Sequence, residues 1–310
     1  MGNTDSRAIP VFDHSASPNA GRMPKWIRVS LASDPRYRQT ASRLNRERLH
    51  TVCEAACCPN RGECWSRGTA TFLLLGDTCT RACGFCAVKT GRPAPPDEME
   101  SSRVADAVAA MGLGYVVLTS VNRDDLPDGG ARLFARTIAE LRQRDGNIGI
   151  ELLTPDFRRC QRSAVEAIST AAERFPNAAR GALNLVWGHN VESVPRLYRT
   201  VRKGSDYQRS LRLLERVAQL PGTEAKSSLM VGLGESHAEV VRVMRDLRAV
   251  GVQRIAIGQY LRPTRRHLPV REYVSPRQFS VYEEEARELG FSWVRAGALV
   301  RSSYHAEAGR

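Results

Sequence analysis

Two groups of three closely spaced cysteines carry the most reactive side chains of the sequence. The tighter group is Cys79-x3-Cys83-x2-Cys86. Thiolates bind iron well, and short spacings in a loop let one segment wrap three corners of a four-iron cubane. Three cysteines leave the fourth iron open, and by analogy with catalytic zinc sites the open position can take a substrate or cofactor. A zinc ion completed by a distant ligand is the alternative.

The second group, Cys53-x4-Cys58-x5-Cys64, lies upstream and includes a complication, because Cys57 adjoins its middle member. A four-thiolate set that includes Cys57 would be a structural zinc site. Adjacent side chains rarely converge on one metal, so we expect Cys57 to be a free thiol. Cys160 falls in a helical stretch, where free cysteine is usually packed in the interior.

The elements that must position these groups follow a regular order after residue 70. Apolar, β-branched runs alternate with helical stretches, one with Val104, Ala107 and Val108 on one face and another with Val240 and Met244. Such alternation predicts a parallel sheet with covering helices, in a barrel or partial barrel. The six predicted strands are Thr71 to Leu75, Tyr115 to Thr119, Ile148 to Leu153, Ala182 to Val186, Ser228 to Val231 and Arg254 to Ile257.

Polar residues lie near or just beyond the carboxyl end of every predicted strand, where ligands of parallel α/β folds bind. Any one of them alone would be an ordinary loop residue, but their recurrence predicts one shared site. They are Cys79, Cys83 and Cys86, then Thr119, Ser120 and Asn122, Glu151, His189 and Asn190, Gly232, Gly234 and Glu235, and Gln259 and Tyr260.

The run Cys79-Thr-Arg-Ala-Cys83-Gly-Phe85-Cys86 resembles the signature of radical S-adenosylmethionine (SAM) enzymes. The upstream triplet resembles the auxiliary-cluster motif of the lipoyl synthases, and Arg301-Ser302-Ser303-Tyr304 is similar to their C-terminal motif. The order of segments from Trp26 to His305 also matches that family.

This resemblance implies an α/β fold, a partial (β/α)6 TIM-like barrel with N-terminal and C-terminal extensions that carry an auxiliary iron-sulfur cluster. The implied segments are an N-terminal extension with the auxiliary cysteines at 23–69, the barrel at 70–290, and a C-terminal segment at 291–310 that closes the auxiliary cluster. Residues 1–22 are expected to be a flexible tail, because they are rich in small and polar residues and show no periodicity.

The resemblance also implies two 4Fe-4S clusters and SAM as cofactors. Cys79, Cys83 and Cys86 would hold the cluster that cleaves SAM, and Cys53, Cys58 and Cys64 would hold the auxiliary one, completed by Ser303. In a cluster held by three thiolates and one serine oxygen, the serine is a hard ligand on a soft metal. The iron that Ser303 binds should therefore lose its protein ligand most easily. The expected catalytic groups are therefore the first triplet and Ser303, and the candidate SAM contacts are Thr119, Ser120, Asn122, Glu151, Lys226 and Glu235.

The implied reaction inserts sulfur at carbons six and eight of an octanoyl chain on a carrier lysine, with the auxiliary cluster as a sacrificial sulfur donor. The implied partners are octanoylated lipoyl domains of dehydrogenase E2 subunits, the glycine cleavage H protein, an electron donor such as ferredoxin or flavodoxin, and an iron-sulfur carrier that rebuilds the cluster. Arg265 and His267 resemble the family's substrate-side segment.

Three positions depart from the family's usual residues. Gly188 stands where asparagine is usual, Ser228 where glycine is usual, and Arg262 where glutamine is usual. Since none is a presumed cluster ligand, the radical chemistry is unaffected, and recognition of the carrier or the acyl chain is what they could change. A paralogue that inserts sulfur into a different acyl carrier is the alternative.

Composition limits the class of protein and its compartment. The 310 residues are 42% hydrophobic and 25% charged, as in a folded globular protein. No apolar run is long enough for a membrane span, and the first residues lack the apolar segment of a signal peptide. We therefore expect a cytoplasmic protein with reduced cysteines and no membrane partner.

The net charge of +13 would also suit a zinc-stabilised protein that binds nucleic acid. The arginines, however, do not alternate with aromatic residues as in a surface on which bases stack, so we expect no nucleic-acid partner.

Overall fold

The computed structural model describes residues 23–28, 35–47, 49–66, 71–178, 185–304 and 306. The tail predicted at 1–22 lies outside these ranges. The strands are β1 Thr71–Leu74, β2 Thr78–Cys79, β3 Lys89–Thr90, β4 Tyr115–Ser120, β5 Gly149–Leu153, β6 Leu185–Gly188, β7 Thr223–Val231, β8 Arg254–Gln259 and β9 Trp293–Gly297. The helices are α1 Pro35–Arg46, α2 Val52–Ala55, α3 Arg61–Ser66, α4 Glu100–Ala110, α5 Ala131–Arg144, α6 Gln161–Arg174, α7 Tyr198–Val201, α8 Tyr207–Ala218, α9 His237–Ala249 and α10 Pro276–Glu288, with a 3-10 turn at Pro195–Leu197.

The central sheet is parallel and follows chain order, β1-β4-β5-β6-β7-β8-β9. Helices between successive strands cover its outer face, since the connection between parallel strands must cross from one end of the sheet to the other. β1 and β9 form the two edges and do not pair with each other within the described residues, so the barrel is open. This confirms the predicted α/β partial barrel.

All six predicted strands are present with shifted ends, and of the run predicted at Ala182 to Val186, residues 182–184 lie outside the described ranges. The two-residue strands β2 and β3 were not predicted, nor was β9, the seventh strand of the central sheet, which lies in the C-terminal segment of 291–310. It pairs with β8 from Trp293 to Gly297. Its short run of Trp, Val, Arg and Ala is only partly buried and lacks the apolar signal of the central strands.

The predicted helix faces are buried as expected. Val104, Ala107 and Val108 of α4 and Val240 and Met244 of α9 pack in the core between helices and sheet. α9 begins with a capping box, in which the Ser236 hydroxyl accepts from the Glu239 amide and the Glu239 carboxylate accepts from the Ser236 amide. Among the described residues, no helix has the length and apolar character that a bilayer crossing requires.

The N-terminal extension is more regular than its sequence suggests. The segment from Arg48 to Arg67 has no strong periodicity and reads as a ligand-bearing loop, yet it contains the short helices α2 and α3. Cys53 and Trp65 from these helices are buried against the barrel. Thr51 pairs with Phe72 in an antiparallel bridge, which fixes the extension to β1.

Candidate active site

One cavity of about 270 Å³ is lined by all three cysteines of the first group and by two of the four predicted auxiliary ligands, Cys58 and Ser303, whereas Cys53 and Cys64 do not line it. It lies at the carboxyl ends of the barrel strands, where Leu153, Ser228 and Gly258 form part of its wall. Predicted site residues that line it are Cys58, Cys79, Cys83, Cys86, Thr119, Ser120, Asn122 and Ser303. Residues near both ends of the chain therefore meet at one site.

The loop from Cys79 to Cys86 is held rigidly on the barrel. Cys79 ends β2, and its Sγ accepts hydrogen bonds from the backbone N–H groups of Arg81 (3.4 Å) and Asn122 (3.3 Å). Such donors stabilise negative charge on a sulfur atom. Gly84 fits closely in the same loop, because a Cβ there would lie 2.9 Å from Leu268 and 3.0 Å from the Thr200 carbonyl oxygen.

Arg81 ties this loop to two strand ends. Its guanidinium donates to both carboxylate oxygens of Asp124 at 2.7 Å and to Asp156 Oδ1 at 2.6 Å, while Arg209 donates to Asp156 Oδ2 at 2.8 Å. The side chains of Arg81 and Asp156 are almost completely buried. Burial alone would raise the pKa of Asp156, but the hydrogen bond and charge of Arg81 outweigh it and hold that pKa below its usual range.

Burial raises the pKa of three of the predicted cluster thiols, which keeps them protonated in the absence of iron. It raises the pKa of Cys83 to about 11 and the pKa values of Cys86 and Cys53 to about 12. Iron binding must therefore displace a proton from each of these three thiols, so loading should release protons.

The positions of the thiols in the cavity suit an iron-sulfur cluster better than a single metal ion. Within the described ranges, no three His, Cys, Asp or Glu side chains converge on the position of a single metal ion. Each thiolate of a cluster binds a different iron, which suits thiols spread over a cavity wall. Cys79, Cys83 and Cys86 all line the cavity.

The auxiliary ligand set is distributed over three local structures. Cys53 lies in α2, Cys64 in α3, and Cys58 in the turn between them, while Ser303 approaches from the other end of the chain. The Cys58 amide donates to the Cys53 carbonyl oxygen at 3.1 Å. Cys57 also lines the cavity and has a left-handed backbone, with φ of 51°.

Arg202 and Glu192, two charged cavity residues, were missed by the sequence analysis. Arg202 Nη1 donates to the Tyr198 hydroxyl at 3.1 Å and to Ser210 Oγ at 3.3 Å. Glu192 has a left-handed backbone with φ of 64°, and burial raises the pKa of its carboxyl even though Arg202 and Arg301 lower it. Left-handed φ in a non-glycine residue at a cavity is a feature of functional sites that sequence patterns do not reveal.

His189 and Asn190, predicted as strand-end residues, both line the cavity. His189 Nδ1 lies 2.8 Å from the Thr154 carbonyl oxygen, and burial, reinforced by the charge of Arg202, lowers the pKa of His189 to about 3. The imidazole is thus neutral, with Nδ1–H donating to Thr154. Asn190 donates to Glu192 Oε1 at 3.1 Å and to Ser302 Oγ at 3.3 Å.

The candidate SAM contacts divide into two groups. Thr119, Ser120 and Asn122 reach the cavity, where the Thr119 hydroxyl donates to the Leu153 carbonyl oxygen and Ser120 Oγ lacks a hydrogen-bond partner within the described part of the chain. Glu235 does not line it, because its carboxylate accepts from the backbone N–H groups of Gly232 and Leu233.

Glu151 and Lys226 also lie away from the cavity and face each other inside the barrel. Lys226 Nζ donates to both carboxylate oxygens of Glu151, at 2.8 and 2.9 Å, and lies 4.6 Å from the centroid of the Trp293 ring. The Tyr115 hydroxyl donates to Glu151 at 3.1 Å. Because Tyr115 and Trp293 begin their strands, this pair lies toward the amino ends of the strands, away from the cysteines.

Comparisons with known proteins agree with this architecture. Residues 73–247 match the Radical SAM superfamily. Lipoyl synthases from Acidovorax ebreus and Rubrobacter xylanophilus are each 50% identical to the chain, over 92% and 91% of its length and 85% of theirs. The crystal structure of Streptococcus suis SuiB bound to S-adenosylmethionine superposes with a TM-score of 0.55 at 12% identity, over 76% of this chain and 54% of that one, which supports the fold alone.

The open parallel barrel and the cysteine loop at its mouth define a radical SAM enzyme, which uses a 4Fe-4S cluster and SAM. At 50% identity over nine-tenths of its length, the chain belongs to the lipoyl synthase family. It is therefore a radical SAM sulfurtransferase that acts on a protein-bound substrate.

Proposed function

We propose that the chain holds a second, auxiliary 4Fe-4S cluster on Cys53, Cys58, Cys64 and Ser303, and that this cluster is the sulfur source for the octanoyl-lysine of a carrier domain. The observation that carries the proposal is the shared cavity, because Cys58 and Ser303 line it together with Cys79, Cys83 and Cys86. A hydrogen-abstracting radical and a sulfur donor must reach the same carbon, so the two groups must face one space.

The residues of the first triplet would hold the SAM-cleaving cluster with one iron open. When bound, the two clusters supply the electron that cleaves SAM and the sulfur that is inserted. Ser120 and Asn122, at the end of β4, present polar groups beside Cys79 and are the proposed SAM contacts together with Thr119. The neutral His189 and the charged Arg202 extend this polar side.

Part of the lining of the cavity suits a hydrocarbon chain. Phe85, Val88, Met230, Leu261 and Pro263 contribute apolar side chains to its wall. An octanoyl chain placed there loses contact with water, which stabilises binding by roughly 0.8 kcal/mol per buried CH₂. A lining that combines apolar side chains with a few polar groups is common in sites that bind and orient small molecules.

The proposed partners are octanoylated lipoyl domains of dehydrogenase E2 subunits or the glycine cleavage H protein, an electron donor such as ferredoxin or flavodoxin, and an iron-sulfur carrier for rebuilding the auxiliary cluster. The proposed compartment is the cytoplasm, since eight reduced cysteines and two oxygen-sensitive clusters require a reducing environment.

A second candidate function is sulfur insertion into a different acyl carrier, and one observation favours it. Ser228, where the family usually has glycine, lines the cavity. Arg262, where glutamine is usual, donates to the carbonyl oxygen of His267 at 2.9 Å and so shapes the loop that carries Arg265. Ser228 therefore changes a residue of the cavity lining, and Arg262 lies between the lining residues Leu261 and Pro263.

Mass analysis after anaerobic turnover tests the proposal. The reconstituted, reduced protein is incubated with SAM and an octanoyl-lysyl peptide, and we expect two sulfur atoms per peptide together with deoxyadenosine. Deoxyadenosine without sulfur in the peptide would favour the second candidate. No deoxyadenosine from protein with about eight irons, as two 4Fe-4S clusters require, would contradict both candidates.

A further inference from the structure

The C-terminal segment Leu299–Tyr304, called here the clasp, carries Ser303 to the cavity and is tied to the N-terminal extension at two points. Asn60 Nδ2 donates to the Leu299 carbonyl oxygen at 2.7 Å. The Tyr304 hydroxyl donates to the Glu63 carboxylate, at 2.9 Å to Oε2 and 3.1 Å to Oε1. These bonds join residues about 240 positions apart in the sequence.

The tie between Tyr304 and Glu63 is made by immediate neighbours of two proposed auxiliary ligands. Glu63 precedes Cys64, and Tyr304 follows Ser303. The Tyr304–Glu63 hydrogen bond therefore connects Ser303 and Cys64, each through its immediate neighbour in the sequence. A hydrogen bond to a carboxylate is stronger than one between neutral groups, which makes this the stronger of the two ties.

The barrel supports the clasp from the other side. Gly258 in β8 lies so close to it that a Cβ there would come within 2.1 Å of the Val300 carbonyl oxygen. Asn190, from the loop after β6, donates to Ser302 Oγ at 3.3 Å. The clasp thus rests on the barrel, while the two ties to the extension fix Ser303 relative to the cysteines.

We propose that Tyr304, Glu63 and Asn60 are positioning residues that hold Ser303 on the auxiliary cluster and set how readily that corner opens. The inference rests on the proposed function, since it requires the auxiliary cluster. A serine oxygen is a hard ligand on soft iron, so its intrinsic hold is weak and its position matters. Loosening the clasp should expose this one cluster and leave the other cluster unaffected.

Iron release from the reconstituted holoenzyme tests the assignment. Tyr304→Phe removes one hydroxyl, Glu63→Ala removes its acceptor, and Glu63→Gln keeps an acceptor without charge. Iron release is measured with a ferrous-iron chelator in excess. In Tyr304→Phe and Glu63→Ala, half of the iron should leave about tenfold faster than in the wild type, because each variant loses a hydrogen bond to a charged group. The acceleration should be smaller in Glu63→Gln. The double variant should release iron no faster than either single variant, because both remove the same bond.

Tyr282→Phe is the matched control, because Tyr282 is a buried tyrosine in α10 that does not line the cavity. A readout independent of the clusters is hydrogen exchange of the iron-free protein, in which Tyr304→Phe should reduce protection of the clasp peptide. Unchanged release from fully loaded Tyr304→Phe and Glu63→Ala, or equal acceleration of both halves of the iron, would overturn the assignment. A wild-type protein that loads only about four irons would instead refute the auxiliary cluster itself.

Discussion

At the residue scale, Arg81 shows how a side chain between two cysteines can serve the site without binding a cofactor. It lies in the loop of Cys79 and Cys83, but its guanidinium points to Asp124 and Asp156 at the ends of neighbouring strands. The sequence alone indicates the thiols through their spacing. It does not indicate the carboxylates that Arg81 meets, because those partners lie about 43 and 75 positions away and are ordinary loop residues by type.

Arg81→Met should therefore destabilise the protein even without iron. Removing the guanidinium leaves the fully buried Asp156 carboxylate with Arg209 as its remaining cation, and loss of one partner of a buried pair costs about 3–5 kcal/mol. Urea unfolding of the iron-free protein measures this loss. Arg196→Met, which breaks the exposed pair with Glu239, is the control and should change the midpoint little. An equal, small effect from both variants would contradict the anchoring role of Arg81.

At the element scale, periodicity predicted the six buried strands and the inward faces of α4 and α9, because their apolar signals come from local sequence. β9 was not predicted because Trp293–Gly297 is only partly buried and lacks a continuous apolar signal. Its position in the sheet comes from pairing with β8. The rule that ligands gather at strand ends placed Thr119, Ser120 and Asn122 correctly at the cavity. It did not separate them from Glu151, whose side chain lies within the barrel in a pair with Lys226.

Lys226→Met tests whether this pair belongs to the barrel or to SAM. The loss of the ammonium leaves Glu151 buried without its cation, so we expect the free energy of unfolding to fall by about 3–5 kcal/mol. Adding Glu151→Gln should restore most of it by removing the uncompensated charge. SAM binding to the reduced holoenzyme of this double variant, measured by equilibrium dialysis, should match wild type. Lys203→Met, at an exposed lysine, serves as the control. Loss of SAM binding by a stable double variant would return the pair to the list of SAM contacts.

At the scale of the whole molecule, the fold brings together ligands that no local pattern could connect. The extension and the clasp come from opposite ends of the chain, and the barrel between them supplies the other group of cysteines at the same cavity. Ser303 illustrates the limit of sequence reasoning, since a serine near a terminus has no metal-binding signal of its own. It lines the same cavity as Cys58, and its segment is tied to Asn60 and Glu63, residues about 240 positions away in the sequence.

This architecture predicts a division of labour between the two cysteine groups. Replacing Cys79, Cys83 or Cys86 by alanine should abolish deoxyadenosine formation, because SAM cleavage requires the first cluster. Replacing Cys53, Cys58 or Cys64 should leave part of the SAM cleavage but stop sulfur insertion. Both products can be quantified from the same anaerobic turnover of an octanoyl-lysyl peptide.

Cys57→Ala is the matched control for these variants, since Cys57 adjoins Cys58 and lines the same cavity. It should retain both products, because its thiol is not among the proposed ligands. If it instead lost the auxiliary iron, the ligand set would have to shift by one residue from Cys58. If both cysteine groups lost SAM cleavage equally, the cavity would hold one interdependent centre, and the clasp would act on SAM cleavage as well as on sulfur transfer.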